Sequence, residues 1–357
     1  MDPTYAVYAV KYAERPARRA EHFIGGDPHD EAMDMDYFIW AIVPLGADDN
    51  VPQGAEGVWV IDTGFDRLDA ERRDRNLVRN ASEALATINI DVASVSNVIM
   101  THLHYDHVGG HHHFPNATFH LQDDEMAYAS GRHMGRDVFS HAYTPEHVAD
   151  FVHLVHDQRV QFHDGDAVLA PGLSVHKVGG HTKGLQVVRV ATSLGWLVLA
   201  SDASHYYENM EADRPFPIVY HLGDMLDAYR RCRQLASSPN YVIPGPTPRS
   251  STVTPRRPRA WTGSPCVSMW SRRAEAEPSS IRSAGRAHRW RPLRTLFPSS
   301  RRSTATRSFP TTVERDDRDY GRRGPSTAVA LGRGRMRAEE SAARCRDGVV
   351  RMRSGPD

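Results

Sequence analysis

The chain has 357 residues, 44 basic and 44 acidic side chains, 20 histidines and three cysteines, and so carries no formal net charge. That balance hides a split. Residues 1–245 hold 34 acidic groups against 19 Lys plus Arg, whereas residues 246–357 hold 25 Arg, no Lys and 10 acidic groups. No apolar run approaches the roughly 20 residues that span a bilayer, and Cys232, Cys266 and Cys345 are too scattered for a disulfide framework. In chain order, Tyr5 to Lys11 alternates and reads as an edge strand, and Tyr37–Leu45 and Val58–Ile61 read as a strand pair. Asp69–Ala86 reads as one charged helix with Leu77 and Leu85 on its apolar side. Val95–Met100 is a short buried strand, and Thr118–Gln122 is another. Thr144 before Pro145, with Glu146 next, marks a helix start. Gln161–Val168 and Leu173–Val178 read as strands, and Gly184–Val190 with Trp196–Ala200 as a further pair. Leu222–Ala236 then reads as a helix, and Tyr241–Ile243 as the last strand. About 245 residues of this kind suit one α/β domain with a sizeable core.

The densest chemistry follows the strand at Val95–Met100. Thr101-His102-Leu103-His104-Tyr105-Asp106-His107-Val108-Gly109-Gly110 packs three histidines and a carboxylate into six positions on the loop leaving that strand. Neutral imidazoles with a carboxylate suit zinc, or iron and manganese as the carboxylate share grows. Downstream, Gly179-Gly180-His181-Thr182 supplies another His beside glycine. Leu197-Val198-Leu199-Ala200-Ser201-Asp202 is an apolar run ending in an acid, and Val58–Ile61 runs into Asp62-Thr63-Gly64.

In this order the H-x-H-x-D-H, Gly-His and strand-Asp segments resemble the metallo-β-lactamase superfamily over roughly residues 35–245. The resemblance implies an αββα sandwich, two packed mixed sheets with helices outside. It implies two zinc ions, one on His102, His104 and His181, the other on Asp106 and His107, with Asp202 bridging. It also implies that Asp62 orients a ligand imidazole from outside the ligand set. An Asp capping the Thr63-Gly64 turn is the plainer reading of the same residue. The implied reaction is attack on an ester, lactone, thioester or amide carbonyl by a metal-bridging hydroxide, formed because coordination lowers the pKa of water to about 7.

Ser201-Asp202-Ala203-Ser204-His205-Tyr206-Tyr207-Glu208-Asn209 is similar to the N-acyl-homoserine lactone lactonase branch, where a Tyr follows Asp-Ala-Ser. Here His205 stands at that place and Tyr206 one residue on. The expected catalytic groups are therefore Asp106 with His205 or Tyr206 as donor to the substrate carbonyl, and ordinary aromatic packing competes for Tyr206. The expected substrate is a small lactone, with another ester or lactone, such as a pyridoxic acid lactone, as the alternative. His111, His112 and His113 read as a solvated loop, His153, His156 and His163 as surface or core groups, Cys232 as a buried thiol, and His221 as a candidate at the site mouth.

The family pattern ends in a Gly-His pair, but Tyr241-Val242-Ile243-Pro244-Gly245 runs into Pro246-Thr247-Pro248-Arg249. The composition changes at that point to Arg, Pro, Ser and Ala, as out-of-frame GC-rich DNA would encode. We read residues 246–357 as a low-order tail translated in a shifted frame. A basic extension binding nucleic acid is the alternative, disfavoured because the basic residues form no helical face. The loss of the last His also admits a metal-binding but inactive product. The start, Met1-Asp2-Pro3-Thr4, lacks the regions of a signal peptide, so a cytoplasmic setting is expected. Oligomeric state and the acyl group stay open.

Overall fold

The computed structural model describes residues 4–46, 57–245 and 267–269, all within a compact unit Met1–Ser279. Seven strands come first: β1 (Tyr5–Arg15), β2 (Met35–Pro44), β3 (Trp59–Ile61), β4 (Asn76–Leu77), β5 (Asn97–Ile99), β6 (Thr118–Gln122) and β7 (Val160–His163). Five more form a second sheet: β8 (Ala167–Ala170), β9 (Leu173–Lys177), β10 (Gln186–Thr192), β11 (Gly195–Ser201) and β12 (Val242–Pro244). A last strand, β13 (Val267–Met269), pairs with β1. The first sheet runs β13-β1-β2-β3-β5-β6-β7 with β4 also on β1, and the second runs β12-β11-β10-β9-β8. The helices are α1 (Arg67–Arg73), α2 (Ala81–Ala86), α3 (Tyr105–Val108), α4 (Asp123–Ala129), α5 (Asp137–Ser140), α6 (Pro145–His156), α7 (Tyr207–Glu211) and α8 (Leu222–Leu235).

The apolar residues divide into three cores that explain the layers. Trp40, Ile42, Ile61 and Ile99 of the first sheet meet Val175, Val188, Val190 and Leu199 of the second, which makes the sheet-on-sheet core. Ile39, Val60, Val98 and Phe119 point the other way, toward Leu85 and Phe151 of α2 and α6. Val187, Val198 and Val242 face Met225, Tyr229 and Cys232 of α8. Alternate residues of one strand thus serve opposite faces, and the outcome is the expected αββα sandwich. Among the described residues no helix is long and apolar enough to cross a membrane.

Three expectations need correction. β1 is not an edge strand: it pairs with β2 along its length and with β4 and β13 on its other side, and its alternation is lost because both faces are covered. The Asp69–Ala86 segment is not one helix. Asp74 takes a left-handed turn at φ 53° that stops α1, β4 follows, and Asn80 with Glu83 caps a new start at α2. Gln161–Val168 is two strands in different sheets, divided at Gly165 with φ 97°. The expected tail lies outside the described residues apart from Val267–Met269, which form strand rather than irregular chain.

Candidate metal centre

β5 lies between β3 and β6, parallel to both, so its C-terminal end opens where α/β sheets place their sites. The chain leaves it through Thr101–His104 and turns into α3. The rings of His102, His104 and His181 form a near-equilateral triangle with centroids 4.6–4.8 Å apart and interplanar angles of 76–82°. Nε2 of His102 and Nε2 of His181 are 3.2 Å apart. Nδ1 of His181 donates to the Ile218 carbonyl at 2.7 Å, which leaves Nε2 as its acceptor.

Asp202, at the end of β11, stands between two groups. Its Oδ2 is 3.4 Å from His181 Nε2 and 3.0 Å from His205 Nε2, and its Oδ1 is 3.5 Å from His107 Nε2. Oδ1 is buried without a hydrogen-bond partner, an arrangement that costs free energy unless a cation meets it. Asp106 Oδ2 is 3.9 Å from His107 Nε2. Asp62 Oδ2 is 2.8 Å from His107 Nδ1, and Asp62 also accepts from the Thr101 amide and hydroxyl. Asp62 adopts a left-handed φ of 59° to do so. The turn-capping alternative is thereby displaced: its carboxylate is used on Thr101 and His107.

The charge pattern suits a metal. Burial, with the neighbouring imidazoles, holds His102 and His104 well below the usual imidazole range, and burial takes His181 down to about 4. These three are neutral at pH 7, the form that binds a metal. Burial alone would lower His107 too, but Asp62, Asp202 and Asp106 outweigh it and raise it well above that range. Three carboxylates around one imidazole are a demand for positive charge. Donor set and geometry therefore fit divalent metal: His102, His104 and His181 make one group, His102, His107 and Asp202 a second, and His181, Asp202 and His205 a third.

The cleft over this cluster has a volume of about 100 Å³ and is walled by Arg15, His22, Tyr37, Arg75, Phe216 and Ile218. His205 faces it, stacked on Phe216 at 3.5 Å. Tyr206 does not: its hydroxyl donates to the Asp34 carbonyl at 3.0 Å and lies 3.1 Å from His22 Nε2. The Asp34 carbonyl thus engages the donor expected at the substrate carbonyl, and Tyr206 supports His22 instead. His221 is likewise used elsewhere, its Nδ1 accepting from the Asp224 amide at the start of α8. Of the His111–His113 run, His111 is buried, and His112 and His113 both pair with Asp66. Burial pushes the Cys232 thiol up to about 12.

One residue that the motifs did not flag is Glu125 of α4, fully buried. Its carboxylate accepts from the Leu103 amide, the Tyr143 hydroxyl, the Thr182 hydroxyl and the Gly184 amide. It thereby ties the His102–His104 loop to the His181 loop. A Cβ on Gly184 would lie 2.1 Å from the Glu125 nitrogen, so this approach requires glycine. In sequence it is only the last acid of the Asp123-Asp124-Glu125 run, which names no partner.

The metallo-beta-lactamase superfamily model matches residues 53–246. The chain belongs to that superfamily. Two N-acyl homoserine lactonases are similar to it in sequence: one from Bacillus cereus, 29% identical over 120 residues, covering 33% of this chain and 42% of the relative, and one from Bacillus sp, 25% identical over 196 residues, covering 51% and 70%. Less than half of the first relative's length is therefore spanned. Among solved structures, a quorum-quenching N-acyl homoserine lactone lactonase matches with TM-score 0.57 at 20% identity, over 70% of this chain and 95% of that one. A dizinc quorum-quenching lactonase in complex with its product matches with TM-score 0.52 at 14% identity, over 77% and 99%. At these identities the structural likeness is one of fold.

Proposed function

We propose that this protein is a metal-dependent hydrolase that opens a small lactone, most simply an acyl-homoserine lactone. The observation that carries the reading is the triangle of neutral, buried imidazoles beside Asp202, whose Oδ1 has no partner, on the floor of an open cleft. His102, His104 and His181 would hold one zinc, and Asp106 and His107 the other, with Asp202 between them. When bound, such metals lower the pKa of water toward about 7 and polarise the scissile carbonyl. The protein's own part is to fix the geometry: Asp62 holds the His107 ring so that Nε2 faces the cluster. His205 is the donor best supported to meet the substrate carbonyl, since its ring lines the cleft while the Tyr206 hydroxyl is bonded away from it. Another ester or lactone of similar size fits the same machinery.

The family's last ligand would follow Gly245. Two observations support that position. The Gly245 amide donates to the Ser201 and Ser204 carbonyls, and Gly245 shares a small cavity with Asp62, Asp106 and His107. We propose that residues 1–245 are the hydrolase domain, that the sequence beyond them is out of frame, and that the chain as written is a weakened enzyme. The free, buried Cys232 accords with a reducing cytoplasmic setting.

The test is a lactone-hydrolysis assay with metal analysis on the chain and on three variants. His102→Ala should lose metal and hydrolysis together, and Asp202→Asn should cost more activity than His112→Ala. Full metal occupancy in His102→Ala, or a larger loss in His112→Ala, would overturn the assignment.

A further inference from the structure

The cleft beside the metal centre carries more positive charge than its own residues use. Arg15 and Arg75 both line it, together with His104, Asp106 and Asp202. They are close enough for each guanidinium to repel the other. Each has a structural contact, but neither is saturated. Arg15 Nη1 donates to Glu21 at 2.9 Å. Arg15 Nε is buried and has no hydrogen-bond partner, and Nη2 donates to no described residue. Those two nitrogens form one edge of the guanidinium, the edge that meets the two oxygens of a carboxylate in parallel. Arg75 spends Nε on the Tyr105 hydroxyl at 3.0 Å and Nη1 on the Arg73 carbonyl at 2.6 Å. Its Nη2 is left over among the described residues.

The neighbouring cation is different. Arg73 gives its two terminal nitrogens to the carbonyls of His141 and Tyr143 and covers the Tyr105 ring at 3.9 Å, so it is committed to the fold. The acids near the pair are also committed. Glu21 is shared between Arg15 and the Arg18 amide, and Asp106 belongs to the metal cluster. Guanidiniums do not shed their charge, so two of them at one cleft, with unpaired donors, define a place for an anion.

We propose that Arg15 and Arg75 form a carboxylate subsite, and that the preferred substrate is a lactone or ester bearing a carboxylate away from the scissile carbonyl. The proposal rests on the hydrolase reading above and, among the lactones and esters that reading admits, favours an anionic one over the neutral acyl-homoserine lactone. Arg15 supplies the paired edge, Arg75 the single donor, and the metal group the reactive end.

A matched pair of probes tests it: 5-oxotetrahydrofuran-2-carboxylate and its primary amide, which is close in size, uncharged and adds no second ester. With the full, metal-loaded chain the acid should be favoured in kcat/KM by roughly tenfold or more, mainly through KM, as expected for a charge-assisted pair. Arg15→Met and Arg75→Met should each pull that preference toward one, and Arg15→Lys, which keeps charge without the fork, should fall between. A preference near one in the unmodified chain, or one that both Met variants retain, overturns the subsite. Calorimetric binding of glutarate gives a readout independent of turnover: heat is expected with the chain and a weaker response in Arg15→Met. If neither probe nor an acyl-homoserine lactone is hydrolysed but glutarate binds through Arg15, the lactonase reading fails and the subsite stands. Glutarate binding that ignores both arginines overturns it. Should Arg15→Met not fold by circular dichroism, Arg75→Met carries the same comparison.

Discussion

Asp62 shows how much one side chain can set at the centre. It takes the Thr101 amide and hydroxyl on one side and the His107 ring on the other, and Ser201 Oγ donates to the same Thr101 hydroxyl. Asp62→Asn keeps the shape but offers an amide where Thr101 and His107 present N–H groups. Metal affinity at the His107 group should fall by about 10–100-fold, read by competition with a chromophoric chelator; unchanged affinity would show that His107 needs no orienting partner. Glu125 is the corresponding device for the other imidazoles. Burial keeps its carboxyl above the ordinary range even though four donors converge on it. Glu125→Gln replaces an acceptor oxygen with a donor against those groups. It should destabilise the fold by about 2–3 kcal/mol, the cost of buried unsatisfied groups, measured as a lower denaturant midpoint with unchanged slope. A midpoint within error of the parent would mean that the two ligand loops do not depend on it.

At the scale of elements, the link between the Asp62 loop and the turn after α3 deserves a separate measurement. Asp66, just before α1, meets His112 Nε2 at 2.9 Å and His113 Nε2 at 3.0 Å. Burial alone would raise the Asp66 carboxyl, but the two imidazoles outweigh it and hold it well below the carboxylate range. The bond to Asp66 raises His112 against a smaller loss from burial. A lowered carboxyl contributes stability above its unfolded value near 3.9 and loses it as pH falls through the folded value. A raised imidazole contributes fully below its unfolded value near 6.5 and loses it as pH rises through the folded value. The contact should therefore be strongest between about pH 4 and 6.5. Asp66→Asn should lower Tm most in that window and less at pH 8. An equal loss at both pH values would assign the effect to packing and not to charge. The glycine at 184 acts at this scale too, since it alone lets β10 begin against α4.

For the whole molecule, the decisive experiment is restoration of the frame beyond Gly245. On the proposed reading the second group lacks one donor as written, so supplying a Gly-His pair there should raise metal content toward two per chain and lactonase rate together. Two metals with no gain in rate on any lactone would remove the lactonase reading and leave another hydrolase of the same fold. Chelation of either protein should lower Tm, since a ligand that binds only the folded state stabilises it by mass action. A melting curve indifferent to chelator would show that the cluster does not carry bound metal.

Much of this was legible along the chain because the informative signals are local. His102, His104, Asp106 and His107 sit within six consecutive residues, and a strand that ends in Asp202 needs only an apolar run and an acid to be recognised. The β10–β11 hairpin, α6 after Thr144-Pro145 and α8 follow from periodicity and caps that lie within their own spans. Local signals failed where the deciding partner is distant. The stop at Asp74 is a left-handed backbone turn that a charged helical pattern does not announce, and the burial of β1 depends on β2, β4 and β13 packing around it. Residue types and their spacing pointed to metal ligation, and the resemblance they carry implied the sandwich that the fold shows. Only the tertiary structure decided that Tyr206 turns to the Asp34 carbonyl, that Glu125 braces two ligand loops, and that Arg15 lines the cleft with a buried Nε that has no partner. Each of those is a question of which distant groups satisfy a buried polar atom, and a linear pattern contains no record of that pairing.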